Sequence, residues 1–236
     1  MPKYFLSDTP LASMERNMMA VPGFAPRCSG CQIARDHTYT AEDVQCKYCE
    51  RYKRRKCTSA KCPWMLERLQ AGVIGYKDLV RSCSSGKPNR RIISRIESTY
   101  AQTNGSRYRS KGHRERMEAC LQDYQRFNQS REPDPQWLAI IFLLTASKRV
   151  WASCSKGVTL MSIDLRAVVP LNFSTQDYAL FQMARSLWDR KQRISENELA
   201  NRTLIREETF TVLMDALVLA EYGVALLPTK EKEAPT

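Results

Sequence analysis

Four cysteines stand within seventeen residues of this chain, in the segment CKYCERYKRRKCTSAKC that runs from Cys46 to Cys62. Such spacing is typical of a tetrahedral zinc site, because the two thiolates of a CxxC pair can reach one metal ion. A segment this short and polar has no core of its own, so metal binding would supply its folding free energy. We expect the rest of the chain to be arranged around that site.

Two ligand sets are open for the zinc ion. The first consists of two CxxC pairs, close to zinc-ribbon spacing: Cys28, Cys31, Cys46 and Cys49. The second is more compact: Cys46, Cys49, Cys57 and Cys62. Cys62 precedes Pro63, which suits the first position of a helix, and a thiolate at a helix N-terminus is stabilised by the helix dipole. This argument favours the second set. It leaves Cys28 and Cys31 as a spare pair that an alternative arrangement, with His37, could use.

Other features of the sequence favour reduced cysteines that bind a structural zinc ion over cysteines that form disulfide bonds. Nine cysteines are an odd number and the N-terminal MPKYFLSDTP contains no apolar signal segment, which disfavours a secreted disulfide framework. The longest apolar run, Trp137 to Ala146, is half of the roughly 20 residues that cross a membrane. We therefore expect a soluble, cytoplasmic protein with no membrane partner. Four thiolates would close the coordination shell of Zn²⁺, as in structural sites.

The positive charge lies in the first half of the chain. The net charge is +12, yet residues from Arg131 onward carry 13 basic and 13 acidic side chains. Residues 1–130 carry 24 basic and 12 acidic side chains. This asymmetry indicates a first half that faces a polyanion and a second half that packs. We divide the chain at the linker 130–135 into a basic zinc-binding helical region, 1–130, and a neutral helical domain, 131–236. A single domain is the alternative.

Two basic stretches carry the charge. The first is a predicted fingertip that projects between two pinned cysteines: Arg51, Tyr52, Lys53, Arg54, Arg55 and Lys56. The second runs from Gly86 to Arg116, and its candidate residues are Arg90, Arg91, Arg107 and Arg109. Such density suits phosphate contacts with little base specificity, and Tyr52 could stack on a base. Part of the fingertip charge would balance the charge of about −2 on a four-thiolate zinc centre, but five cations exceed it.

Helical periodicity dominates the rest of the chain. We predict helices over residues 8–20, 63–70, 76–83, 88–102, 115–129, 134–153, 174–188 and 207–227, with a short one opening at Ser195. Residues 21–26 are predicted to form a loop, and residues 156–173 a short hairpin or irregular crossover. The expected fold is mainly α, with an N-terminal zinc-knuckle segment followed by a helical bundle.

Side-chain positions follow from the same periodicity. Arg95 is expected to lie off the apolar face of its helix, and His113 to lie at the surface or contact phosphate. The isolated cysteines are expected to be ordinary buried residues: Cys83, Cys120 and Cys154. Neither of the two histidines stands in a catalytic motif, so we expect a non-enzymatic protein. A metal-dependent nuclease is one alternative, because distant residues can meet in a fold.

Three stretches of the sequence support a resemblance: MPKYFLSDTPLASME at the start, YTAEDVQCKYC at the first CxxC of the cysteine segment, and AEYGVALL near the end. They resemble small uncharacterised proteins encoded on conjugative and other mobile elements of Gram-positive gut bacteria. The resemblance covers most of the chain and implies a bacterial cytoplasmic accessory protein, without residue roles. Our first hypothesis is binding to nucleic acid or a nucleoprotein. Because such elements also carry anti-CRISPR proteins, the main alternative is an inhibitor that docks on a Cas effector.

The cysteine spacing predicts about one zinc ion per chain, measurable by metal analysis of purified protein. Cys57→Ser and Cys62→Ser are expected to lose the metal, whereas Cys28→Ser keeps it. The reverse pattern would support the ribbon-like set, and a folded preparation without metal would exclude both.

Overall fold

The structure is a computed structural model that describes most of the chain after residue 63. The described ranges are 64–84, 90–103, 105–128, 132–160 and 162–227, with Ser13, 24–26, 32–34, 39–42, 44–46 and Cys62 before them. The chain divides into two compact units, Met1–Thr58 with Pro63–Ile74 and Ser59–Cys62 with Gly75–Thr236. The helix predicted over residues 8–20 lies outside the described residues except for Ser13, and the fingertip lies wholly outside them.

The described part of the first unit contains a small antiparallel sheet. Strand β1 is Phe24–Pro26 and strand β2 is Gln32–Ala34, with Phe24 opposite Ala34. The prediction of a loop over residues 21–26 is wrong for β1. Proline and glycine density indicated a break, but both strands of a two-stranded sheet are edge strands, where proline is tolerated although it cannot donate to the ladder.

The first unit also contains helix α1, Met65–Gln70, which begins two residues later than predicted. Cys62 therefore stands three residues before the first helical residue, with Trp64 at the N-cap. The dipole field of a helix falls off within about one turn, and α1 has only six residues. The helix-end argument for Cys62 as a zinc ligand is thus weaker than the sequence indicates.

The described part of the second unit is built from helices. They are α2 Tyr76–Cys83, α3 Arg90–Thr99, α4 Lys111–Phe127, α5 Pro135–Thr145, α6 Lys148–Cys154, α7 Thr175–Asp189, α8 Glu196–Ala200 and α9 Glu207–Tyr222. Two 3-10 turns, Ser155–Gly157 and Gly223–Leu226, follow α6 and α9. The prediction of a mainly α chain is confirmed for these residues.

Helices α5 and α9 form the centre of the second unit. Every residue from Trp137 to Ala146 is buried, as the continuous apolar run of α5 predicts. Helix α5 packs against α4, α6, α7 and α9, and α9 packs also against α2 and α7. Elements from both sides of residue 131 therefore share one core, since α2 and α4 precede that position.

The helix predicted over residues 134–153 is two helices in the structure. Helix α5 ends at Thr145, whose hydroxyl donates to the Ile141 carbonyl at 2.7 Å. Ser147 then caps α6 by accepting the Val150 N–H at 3.5 Å. Serine and threonine hydroxyls compete for backbone hydrogen bonds, which explains a break that apolar periodicity alone does not reveal.

The connection between α6 and α7, predicted to be a short hairpin or irregular crossover, contains one isolated bridge among its described residues. Val158 and Ile163 form an isolated antiparallel bridge, and the Asp164 N–H donates to the Gly157 carbonyl at 2.8 Å. A Cβ at Gly157 would collide with the Asp164 carbonyl, so this close approach requires glycine.

Arg95 is buried, so the prediction that it lies off the apolar face of α3 is wrong. Its side chain is only 1% exposed, and it donates to the carbonyls of Leu199 at 2.7 Å and Ile205 at 2.6 Å. It also pairs with Glu207 at 3.2 Å and lies 4.0 Å from the ring centroid of Phe210. A guanidinium has five donors in a planar fork, so it can satisfy several acceptors at once and remain buried. Arg95 thereby holds α3 to the connection between α8 and α9.

Helix α9 and its 3-10 extension, Glu207–Leu226, are long and apolar enough to cross a membrane by length and composition. The sequence analysis predicted this helix but did not consider it as a candidate membrane span. In the structure 61% of its apolar window is buried inside the protein, and a core helix passes the same test of length and hydropathy.

Arg95→Ala is expected to lower the free energy of unfolding by about 3 kcal/mol, because two buried carbonyls lose their donor. Arg95→Lys is expected to restore little, since one ammonium cannot reproduce the planar fork. Urea unfolding measures both changes. Arg91→Ala, on the exposed side of the same helix, is the control, with an expected effect within about 0.5 kcal/mol. Equal losses in the Arg91 and Arg95 variants would contradict the assignment.

Candidate polyanion-binding surface

Four of the predicted binding residues lie in the described part of the second unit. Arg90 and Arg91 occupy the first turn of α3 and are exposed. Arg107 is exposed and Arg109 is half-buried, in the connection between α3 and α4. None of the four arginines forms an ion pair in the part of the chain that the structure describes. These guanidinium groups are therefore available to an external anion.

Two carboxylates of the helices next to these arginines form ion pairs with other cations. Glu97 of α3 pairs with Lys77 at 2.6 Å and with Arg81 at 3.7 Å. Glu118 of α4 pairs with Arg114 at 3.1 Å. Among the described residues, the four arginines thus differ from Lys77, Arg81 and Arg114 in having no carboxylate partner.

The two arginine pairs lie at opposite ends of α3. The helix has ten residues, so its ends are about 14 Å apart. Tyr100, just after the helix, and Arg107 both bind Asp215, which fixes Arg107 near the C-terminal end. The structure therefore places the predicted cations in two pairs near the two ends of α3 and does not gather them at one point.

Asp215 of α9 is a buried carboxylate with three donors. Its side chain is 0% exposed. Oδ1 accepts the hydroxyls of Tyr76 and Tyr100, each at 2.9 Å, and Oδ2 accepts the Arg107 N–H at 3.0 Å. Burial raises the pKa of Asp215 to about 7, although the three donors act to lower it. Burial and the neighbouring carboxylate raise the pKa of both tyrosines, so their hydroxyls stay protonated and donate.

His113 is the second buried polar group of this region, and the prediction of a surface position is wrong. It is 0% exposed in α4, which begins at Lys111, four residues earlier than predicted, with Ser110 as N-cap. The Arg109 N–H donates to Nδ1 at 3.0 Å, so the ring proton is on Nε2, which lies 2.9 Å from the Phe142 carbonyl. Burial lowers the pKa of His113 to about 3, so the imidazole is neutral.

Tyr108 lies between Arg107 and Arg109 in the sequence, and its ring packs against other aromatic rings of the protein. Its ring centroid lies 5.2 Å from that of His113 and 6.0 Å from that of Phe142. These contacts hold the aromatic ring inward, away from the exposed side chain of Arg107.

The remaining predicted site residues fall mostly outside the described part of the chain. These are the fingertip, 51–56, and the predicted ligands Cys49 and Cys57. Cys46 is exposed and Cys62 is half-buried, and both are free thiols, as ligation would require. Among the described residues, no group of three or more metal-ligating side chains comes together.

A cavity of about 470 Å³ lies elsewhere in the second unit. Its wall is largely aliphatic and includes Leu199, Met214 and Leu217. Burial raises the pKa of the thiol of Cys83, which also lines it, to about 12, so little nucleophilic thiolate forms at neutral pH. Cys83 and Cys120 are half-buried and Cys154 is fully buried.

Comparisons of the chain with protein-family models, with curated proteins and with solved structures found no match. Functional inference therefore rests on the sequence and on the geometry. Sequence analysis missed Asp215, Tyr76 and Tyr100. Asp215 could have been found from its position between Met214 and Ala216, within a helix predicted to be buried. A buried carboxylate requires hydrogen-bond donors, so its position indicates donors nearby.

Asp215 and His113 change stability with pH in opposite directions. The folded pKa of Asp215 is raised from 3.8 to about 7, so its contribution is present at low pH and is lost as the pH rises through this window. The folded pKa of His113 is lowered from 6.5 to about 3, so its contribution is present above pH 6.5 and is lost as the pH falls. Between about pH 4 and 6.5 the two residues together bind the same number of protons in the folded and unfolded states, and their effects cancel.

Single substitutions are expected to separate these effects. Relative to wild type, Asp215→Asn makes the free energy of unfolding fall as the pH drops from about 6.5 to 4, since His113 then titrates alone. His113→Gln makes it rise over the same range. Each difference reaches about 3 kcal/mol across the window, measured by urea unfolding at several pH values. Parallel pH profiles for the two variants would contradict the assigned protonation states.

Proposed function

We propose that this protein is a non-enzymatic, zinc-stabilised protein that binds nucleic acid, or a nucleoprotein, through phosphate groups. The observation that supports the proposal is a set of arginines near the two ends of α3 that have no carboxylate partner among the described residues: Arg90, Arg91, Arg107 and Arg109. Other cations of the same region, such as Lys77 and Arg81, are paired.

Electrostatics favours a polyanion as the partner. Arg90 and Arg91 are adjacent in sequence, and like charges held close together raise the energy of the free protein. Binding to nucleic acid neutralises them and releases counterions from the phosphates, which supplies sequence-independent affinity. All of the excess positive charge of the chain lies in residues 1–130, where these arginines and the predicted fingertip stand.

The aromatic contacts of the described surface favour the backbone of the nucleic acid over its bases. Stacking on bases requires an exposed ring. Tyr100 is buried and Tyr108 packs on His113 and Phe142, so both rings are engaged inside the protein. Arginines then contact phosphate, which positions a protein without reading sequence. Tyr52 of the fingertip stays the candidate for stacking.

The predicted zinc centre completes this proposal. Zn²⁺ held by Cys46, Cys49, Cys57 and Cys62 would fix both ends of the fingertip and add its cations to the surface. The resemblance to proteins of bacterial mobile elements supplies a setting in which a cytoplasmic nucleic-acid-binding accessory protein is useful.

Binding to short labelled duplex DNA and RNA, at about 50 and 200 mM salt, tests the proposal. We expect affinity that falls steeply with salt and differs little between sequences. Arg90→Gln/Arg91→Gln is expected to lower the slope of log affinity against log salt by roughly 2 on DNA, because each lost phosphate contact changes it by about 0.9.

Lys148→Gln/Lys156→Gln is the matched control. Both lysines are exposed in the neutral half, and neither forms an ion pair among the described residues. The control removes the same charge and is expected to leave the slope close to that of wild type. Equal slopes for the two double variants would mean that net charge, not this surface, drives binding. Negligible binding of wild type at low salt would end the proposal and favour a protein partner such as a Cas effector.

A further inference from the structure

The exposed arginines near the end of α3 stand on a backbone that the protein interior holds at several points. The Arg107 N–H donates to Asp215 and the Arg109 N–H donates to His113, each at 3.0 Å. Next to them, the Ser106 hydroxyl donates to the Leu226 carbonyl, and Ser110 caps α4. Consecutive residues from 106 to 110 are thus tethered to the core or to α4.

Both buried acceptors are themselves fixed. Asp215 is held by the hydroxyls of Tyr76 and Tyr100, and His113 is held at Nε2 by the Phe142 carbonyl. The two acceptors belong to different helices, α9 and α4. A backbone held by such acceptors cannot turn without breaking buried hydrogen bonds, each of which is costly to leave unmade.

We propose that Asp215 and His113 are positioning residues for polyanion binding, which hold the segment Arg107–Arg109 in its binding conformation before a partner arrives. This inference rests on the proposed function. A preordered segment loses less conformational entropy on binding, at about 0.5–1.5 kcal/mol for each immobilised side chain. The rival explanation is that the two residues only stabilise the fold.

A matched pair of substitutions at His113 separates the explanations. The amide oxygen of His113→Asn can replace Nδ1 and keep the Arg109 N–H, but it loses the Phe142 carbonyl. The longer His113→Gln can keep the Phe142 carbonyl but loses the Arg109 N–H. Both variants remove one buried hydrogen bond, so we expect similar losses of stability. Only His113→Gln releases the Arg109 N–H.

Affinity for short labelled duplex DNA at about 50 mM salt is measured at a temperature where circular dichroism shows every variant folded. We expect His113→Gln to bind roughly threefold to tenfold more weakly than His113→Asn, following the cost of ordering released side chains. In a background of Arg107→Gln/Arg109→Gln this difference should vanish, because the cations being positioned are gone. A purely structural role would give equal affinities in the first comparison, or an unchanged difference in the second.

Amide hydrogen exchange of the wild-type protein gives a second test that needs no variant. We expect the Arg107 and Arg109 amides to be protected in the free protein and to change little when the duplex is added. Fast exchange in the free protein, with protection only in the complex, would overturn the inference while leaving the proposed function intact. Absence of duplex binding by wild type would instead overturn both proposals.

Discussion

Asp215 is a carboxylate in the middle of an apolar helix, and three hydrogen-bond donors of the second unit satisfy its oxygens. A buried carboxyl without hydrogen bonds costs several kcal/mol, so the fold is stable only when its partners arrive together. Those partners come from α2 (Tyr76), the end of α3 (Tyr100) and the connection to α4 (the Arg107 N–H). The need of Asp215 for donors thus fixes the positions of these elements relative to α9. Apolar packing alone is less directional and would fix those positions less tightly.

This requirement also connects the interior of the protein to its charged surface. The N–H groups of Arg107 and Arg109 and the ring of Tyr108 contact buried groups, whereas the side chain of Arg107 is exposed. Buried polar groups often specify a unique arrangement more than they add stability. Here the arrangement they specify is that of the backbone that carries Arg107 and Arg109.

Sequence reasoning predicted the helices well because helical periodicity of apolar residues reports burial directly. The near-continuous run Trp137 to Leu144 and the repeat in α9 both form core helices. It failed where charge was taken to mean exposure. Arg95 donates to a carbonyl 104 residues away and His113 to one 29 residues away, and no local pattern records these partners. The start of α4 depends on the hydroxyl of Ser110, and the break after α5 depends on the hydroxyls of Thr145 and Ser147. Patterns of charge and apolarity do not identify these hydroxyls.

The bond between Arg107 and Asp215 joins positions 108 residues apart in the chain. Closing so long a loop is slow relative to forming local helices, because its entropy must be lost before the contact is gained. During synthesis, the basic first half therefore leaves the ribosome long before Asp215 is available to accept the Arg107 N–H. The anchoring of Arg107 to the protein interior thus becomes a late event in folding, reached only when α9 has docked.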